Sequence, residues 1–430
     1  MISYVKRLTS SKFVRNVAIL ATGTAGAQAI TMAFSPVITR LYGPEAFGIL
    51  GTFTAILAVL APLAAWSYPI AIVLPKRDAD AIGLAKLSIG IAVAMSLLAA
   101  LVLVLFKAPI VNIFNLQAIE PFILLLPLAM LFAAAMAIMT QWVIRKKLFK
   151  ITAKVAILQA LWLNIAKAGI GFFSPFAAVL IVLATLGSML HALMLWTGVR
   201  KSPEGRIEAT SRGEEVSVGS KALAKRHRDF AYYRTPQIVL NAVSQSLPVL
   251  MLASFFGPTA AGFYSLGKMV LGIPTTLIGQ SVASVFYPRI NEAIHNKEDP
   301  HKLLMKATTA LAVAGLIPFG LVVIFGPWLF SFVFGNDWHT AGVYAQWLAL
   351  WSYFGFMNKP SVGAIPVLAL QGFFLIYEIV SIGFRFVLLF FGFFVFKSAL
   401  VAVALFSLGS VALNLTLIIA TLIAAKKHKG

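Results

Sequence analysis

The sequence predicts an all-α polytopic membrane protein with twelve transmembrane helices in two pseudo-symmetric six-helix lobes. Three observations carry that expectation. The chain is 60% apolar with a mean hydropathy of +0.91, far more hydrophobic surface than a soluble fold could bury. Its apolar residues fall into runs close to the roughly 20 residues that a helix needs to cross a bilayer. Its bases alternate: of 35 Lys and Arg, 29 lie in the N-terminus, alternate gaps and the C-terminus, 3 in the other gaps and 3 inside apolar runs. Basic loops beside membrane segments are retained in the cytoplasm, so both ends are expected inside the cell.

The elements follow in order. Lys6, Arg7, Lys12 and Arg15 precede the first span, Asn16 to Thr39. With the small residues Ala25, Gly26 and Ala27 they mimic a secretory leader, but the apolar run is long enough to cross, so an uncleaved first helix is expected. Gly43-Pro44 turns the chain into the second span, Phe47 to Leu74, which Pro75-Lys76 closes. The third to sixth are Leu87 to Phe106, Pro121 to Val143, Val155 to Phe173 and Pro175 to Val199. Beyond a polar stretch come Ile238 to Phe256, Ala260 to Tyr287, Ala307 to Phe325, Ala341 to Met357, Gly372 to Phe396 and Ala399 to Ala424. The tenth carries the weakest apolar signal.

The polar stretch, residues 200–234, holds nine bases and five acids and too little apolar surface to fold alone. It is expected as a cytoplasmic linker, with a short amphipathic helix near Lys221 to Arg228, between an N-terminal lobe of residues 1–199 and a C-terminal lobe of 235–430. The lobes are related in sequence. Gly43-Pro44-Glu45-Ala46-Phe47-Gly48 opens the second span and Gly257-Pro258-Thr259-Ala260-Ala261-Gly262 opens the eighth, 214 positions later. Pro75-Lys76 and Pro288-Arg289 close the same two spans, and Pro62 and Pro274 correspond within them. One such turn could arise by convergence; matches in register indicate duplication. An even number of spans per repeat gives parallel repeats, the arrangement of transporters whose substrate passes between halves.

The net charge of +21 would ordinarily suggest nucleic acid, yet most of it sits in cytoplasmic gaps, where it sets topology and attracts anionic headgroups. Absence of cysteine excludes disulfides and thiol chemistry. No zinc-protease, nucleophile-elbow or phosphate-loop motif is present, so neither an enzyme nor a cofactor site is expected. Ala21-Thr22-Gly23-Thr24-Ala25-Gly26 lies in an apolar span and reads as close helix packing.

A charge near mid-bilayer costs roughly 2.5 to 3.5 kcal/mol, so the ionisable residues inside spans should face a wet cavity or one another. They are Lys167, Lys268, Glu378 and Arg385, with His191 at the margin. Glu378 and Arg385 share a helix face about 10.5 Å apart, too far for an easy direct pair. Lys268 lies deep enough to favour the cavity, whereas Lys167 is placed to snorkel and His191 to bond between helices. Thr24, Gln28 and Thr31 share one side of the first span, as Asn241 and Gln245 do on the seventh, its counterpart by repeat. These favour a polar-lined cleft, although such residues also join helices. Trp328, Trp338 and Trp347 are expected in an outer interfacial belt.

Residues Ile38 to Gly48 (Ile-Thr-Arg-Leu-Tyr-Gly-Pro-Glu-Ala-Phe-Gly), followed by Ala71-Ile72-Val73-Leu74-Pro75-Lys76, resemble the amino-terminal signature of the Wzx-like oligosaccharide flippases. These form the polysaccharide-transport branch of the multidrug/oligosaccharidyl-lipid/polysaccharide exporter superfamily, and the spacing of spans extends the resemblance over most of the chain. The resemblance implies a MATE-like pair of six-helix lobes that opens alternately to each side of the bacterial inner membrane. The cargo implied is a polyprenyl-pyrophosphate-linked oligosaccharide for O-antigen, capsule or exopolysaccharide synthesis. Membrane lipids, a polysaccharide polymerase and other assembly proteins are the further partners implied. Family members often carry an Arg-Tyr-Glu-like triplet where this chain has Ser67-Tyr68-Pro69, which leaves Lys268 and Arg385 to meet the pyrophosphate. The alternative is a multidrug or small-solute exporter of the same superfamily driven by protons or sodium, for which Glu378 is the one deep acid. An assembly enzyme would need a large outer loop, and the outer gaps here are short.

Overall fold

The computed structural model describes residues 12–202, 219–296 and 298–427; Lys6, Arg7 and residues 203–218 of the expected linker lie outside the described residues. Among the described residues there are helices and no strands. We number the α-helices in chain order: α1 Lys12–Ala64, α2 Tyr68–Ala71, α3 Asp78–Ile113, α4 Leu126–Arg145, α5 Phe149–Gly171, α6 Ala177–Lys201 and α7 Ser220–Arg226. They continue with α8 Thr235–Phe256, α9 Pro258–His295, α10 Pro300–Phe334, α11 His339–Met357, α12 Lys359–Ala364, α13 Gln371–Phe394 and α14 Ala399–Lys427. A helix occupies each of the twelve expected crossings. Among the described residues, nine helical segments are long and apolar enough to cross a bilayer, and one of them, Ala18–Ala64, is long enough to cross twice.

That double crossing is two helices meeting at Gly43, whose backbone (φ 69°, ψ 175°) no helix contains. Gly257 takes the same left-handed region, with φ 84°. Both glycines precede a proline that starts the next helix, so the repeated Gly-Pro pair has one conformational meaning: glycine supplies the turn and proline the first helical φ.

Solvation confirms the membrane reading. On α13, Leu375, Ile376, Ile379, Val380, Val387 and Phe391 are all more than half exposed, and only Ser381, Leu389 and Gly392 are buried. Water would not tolerate that face; hydrocarbon is its natural solvent. The tenth crossing shows the opposite case. α11 is packed among α9, α10 and α14, which bury Tyr344, Leu348 and Phe356. A helix surrounded by protein does not need a uniformly apolar surface, which is why its sequence signal is weak.

Several boundaries differ from the sequence expectation. The second crossing stops at Ala64, ten residues before Leu74, because Trp66 and Ser67 adopt positive φ and Pro69 starts the separate turn α2. The third helix starts at Asp78 and ends at Ile113, bent at Phe106 ahead of Pro109. The fourth crossing opens as a 3₁₀ turn, Gln117–Leu125, which contains Pro121. The amphipathic linker helix forms as α7, with Leu223 fully buried and its neighbours Lys221 and Lys225 exposed.

Contacts divide the chain into two units, one of Met1–Tyr42 and Ile49–Leu250, the other of Gly43–Gly48 and Met251–Gly430. The first is built on α4, which packs against α3 and α6, with α5 on α6. Phe53, Leu103, Ile123, Leu126 and Ile181 form one of its cores, and Ile72, Leu84, Trp142, Leu195 and Leu223 another. The second is centred on α11, with a further core of Phe286, Ile290, Leu304 and Leu368.

Within the second unit the two Gly-Pro motifs cross each other. A Cβ built on Gly48 would lie 1.6 Å from the Pro258 carbonyl oxygen, and one on Gly262 would lie 2.0 Å from that of Pro44. The contact is reciprocal, small residue against backbone on both sides. Trp338 closes it, with its ring edge-on to Phe47 at 5.2 Å and to Phe263 at 6.2 Å. Trp338 is 1% exposed, so it is a packing residue and not the interfacial belt member expected; Trp328, 62% exposed and stacked on Phe332, fits that description.

At the end of α9, Arg289 grips Glu298 through two guanidinium nitrogens, one of them at 3.3 Å. This bond holds the Glu298 carboxyl below its ordinary value of 4.5. A depressed carboxyl pKa contributes stability above the unfolded value and loses it as pH falls through the folded one. The amides of Glu298 and Asp299 should therefore exchange hydrogens faster below pH ~4 once intrinsic exchange is corrected for, an increase absent from Glu298→Gln.

Candidate functional site

The helices carry the six expected pathway residues into two groups, one in each unit. In the second unit, Arg385 lies midway along α13, half-buried, and its Nε donates to Ser410 Oγ on α14 at 3.2 Å. Ser410 is fully buried and belongs to a longer polar line. Asn414 Nδ2, one turn on, donates to the Ser410 carbonyl at 2.9 Å, and Asn358 Nδ2, just past α11, donates to Asn414 Oδ1 at 2.9 Å. Tyr377 hydroxyl on α13 caps the Leu413 carbonyl at 2.8 Å. Bonds of this kind are individually modest in a bilayer, but together they orient the guanidinium against α14.

Lys268 sits on α9, also half-buried, one helical turn after the fully buried Tyr264. Arg385 exerts a Coulombic influence on both Tyr264 and Tyr377. Glu378 is half-buried on α13, and among the described residues no cation lies within ion-pairing distance of it. Its separation from Arg385 along one helix accounts for that.

The first unit holds the uncharged candidates. Gln28 is half-buried on α1, between Thr24, which bonds back to the Leu20 carbonyl at 3.0 Å, and Thr31. Thr31 Oγ1 accepts from Asn164 of α5 at 3.3 Å, so part of this stripe joins helices. Asn241 and Gln245 project from the surface of α8, whereas Ser244 and Ser246 face inward. His191 bonds Gln159 of α5, whose amide also donates to the Gly187 carbonyl at 2.7 Å, a closed interhelical set. Lys167 is half-buried near the end of α5, where its carbonyl accepts from Tyr42 hydroxyl at 2.8 Å.

Sequence reading missed a second arrangement. Arg145, at the end of α4, donates to Asp78 through Nε at 3.0 Å and Nη2 at 2.9 Å, and also to the carbonyls of Ile72 (3.2 Å), Pro75 and Lys76 (3.3 Å). Lys146 holds the other Asp78 oxygen. The guanidinium thus fastens the end of the Ala71 to Lys76 segment to the start of α3, in a fork geometry that lysine could not reproduce. Arg145 and Lys146 read from sequence as topology charges; the signal overlooked was Asp78, an acid directly after Pro75-Lys76-Arg77.

Residues 37–342 match the family described as Polysaccharide biosynthesis protein. Over 341 residues the chain is 24% identical to the succinoglycan biosynthesis transport protein ExoT of Rhizobium meliloti (strain 1021), covering 76% of this chain and 63% of that protein. The chain therefore spans under two thirds of that relative's length. Its fold is similar to that of a multidrug resistance MATE family transporter of the MOP superfamily in an inward-facing conformation, with a TM-score of 0.71 at 12% identity, covering 94% of this chain and 95% of that one. It is equally similar to the lipid II flippase MurJ in an inward closed conformation, with a TM-score of 0.71 at 14% identity, covering 95% and 90%.

Proposed function

Because the chain belongs to the polysaccharide biosynthesis protein family, we propose that it is a flippase that carries a polyprenyl-pyrophosphate-linked oligosaccharide from the cytoplasmic to the periplasmic leaflet. The work would be done by alternating access in the bacterial inner membrane, with both termini in the cytoplasm and without covalent chemistry. The family match carries this reading, and the naming of ExoT as a transport protein and of MurJ as a lipid II flippase agrees with it.

The physics of the cargo fits the residues of the second unit. A pyrophosphate crossing hydrocarbon needs fixed cations in a low-dielectric cleft, where attraction is far stronger than in water, while the lipid tail stays in the bilayer. Arg385, oriented by Ser410 and the Asn414–Asn358 line, is such a cation, and Lys268 is the other candidate. Gln28, Asn241 and Gln245 would offer neutral polar groups to sugar hydroxyls. Release would pass the glycan to a polymerase and other assembly proteins.

Arg385→Ala and Lys268→Ala should each lower surface polysaccharide at least ~10-fold at unchanged protein level, and the pair more, since each removes a charge-assisted contact in low dielectric. Full export by both variants would remove these residues from the mechanism. The multidrug reading keeps a foothold in the MATE-like fold and in Glu378. Drug resistance on expression, lost in Glu378→Gln and without any glycan phenotype, would favour it.

A further inference from the structure

The first unit contains a cavity of about 630 Å³ at the start of α3 that the transport pathway does not use, lined by Lys76, Arg77, Asp80, Leu223, Arg226 and His227 among others. Three permanent cations and a histidine face one acid. The volume falls in the range of small-ligand pockets, about 300 to 1,000 Å³. By the distribution of bases this end of the unit is the cytoplasmic one.

The cavity is built, not incidental. Its floor is the segment whose carbonyls Arg145 fastens, and the nearby Asp78 is taken up by Arg145 and Lys146. Its opposite wall is α7, which docks through the fully buried Leu223. A Cβ on Gly83 of α3 would lie 2.6 Å from Leu223 Cδ1, so glycine is what lets the helix seat. Tyr68 hydroxyl pins α7 from the side by donating to the Ala224 carbonyl at 3.2 Å. Seating this helix brings Arg226 and His227 into the same lining as Lys76 and Arg77. Burial, reinforced by Arg226 and opposed by Asp80, holds His227 below its usual pKa, so at neutral pH it offers a hydrogen bond and not a charge.

We propose that this cavity is a binding site for the phosphate groups of a phosphorylated lipid headgroup, captured at the cytoplasmic surface by Lys76, Arg77 and Arg226. A phosphoryl anion is the ligand whose charge matches the excess of cations, and the rim lies where headgroups are presented. Where the ligand is the pyrophosphate of the cargo, the inference rests on the flippase reading, and the site is a loading station ahead of Lys268 and Arg385. Where it is an anionic phospholipid, the site stands independently of that reading.

The test uses the purified full-length protein in neutral-lipid nanodiscs doped with polyprenyl diphosphate or, separately, phosphatidylglycerol, with binding read by native mass spectrometry. Lys76→Gln/Arg226→Gln should weaken binding of one of these lipids by about tenfold or more, and Arg226→Lys should not. Leu223→Asn, which unseats α7 without altering any charge, should reproduce the loss, while Lys150→Gln, which removes an exposed cation outside the cavity lining, should leave binding intact. Loss confined to polyprenyl diphosphate identifies the cargo as the ligand; loss confined to phosphatidylglycerol identifies the bulk lipid and supports the site even if glycan export fails to depend on this protein. Unchanged binding of both lipids by a double variant that elutes as a folded monodisperse particle overturns the proposal.

Discussion

Gly48→Ala is expected to destabilise the protein by about 3 kcal/mol, the upper end of overpacking, because the added methyl meets backbone on a helix that is itself packed. The obstruction is the Pro258 carbonyl, 1.6 Å from the new atom, and a carbonyl cannot rotate aside as a side chain can. Gly262→Ala, facing Pro44 in the reciprocal position, should behave alike. Gly90→Ala is the control: nothing lies within 4 Å of its Cβ position on α3, and alanine in a helix interior is favoured over glycine by about 1 kcal/mol. Thermal unfolding in detergent should separate the variants, with the first two lowered and the control unchanged or raised. A Gly48→Ala protein as stable as the control would mean that the two Gly-Pro helices do not cross as described.

Arg145→Ala should cost a further several kcal/mol, by a different route. The side chain is 9% exposed and serves Asp78 together with three backbone carbonyls, all of which would be left in a poorly hydrated place. Removing one partner of a buried ionic cluster typically costs about 3 to 5 kcal/mol. Arg145→Lys should recover less than half of that, since one ammonium cannot reach acceptors spread over Ile72, Pro75, Lys76 and Asp78. Lys146→Ala, which leaves the fork in place, should be mild. Chemical denaturation of the purified variants would rank them; equal stability of Arg145→Lys and the parent would refute the fork argument.

How far sequence alone reached can be judged from these same residues. The Gly-Pro repeats were legible because a turn followed by a helix start has a local chemical signature, and the structure gives Gly43 and Gly257 the backbone it demands. Crossing of the two repeats was not legible, since nothing local distinguishes Gly48 facing a neighbour from Gly90 facing open space. Intramembrane cations were found because each is an anomaly against lipid; their anchor was not, because Ser410, Asn414 and Asn358 look individually like ordinary helix residues. Trp338 was misplaced for a related reason: an aromatic near a helix end fits the water–lipid boundary equally well until Gly335 (φ 111°) and the turn after it fold the ring inward. The bases between spans were the least legible, because topology alone accounts for them and nothing local separates Arg145, which ties down three backbone carbonyls, from its neighbours.

The seating of α7 on Gly83 has a practical corollary for dissecting this chain into complementing fragments. The contact boundary falls at Leu250, inside α8, so the sequence after the polar stretch is structurally owned by what precedes it. Cutting at residue 202 would strip the first fragment of its own lid and leave an oily socket around Gly83, inviting aggregation; a cut that keeps α7 with α3, or a short supplied peptide bearing Leu223, should restore solubility in mild detergent.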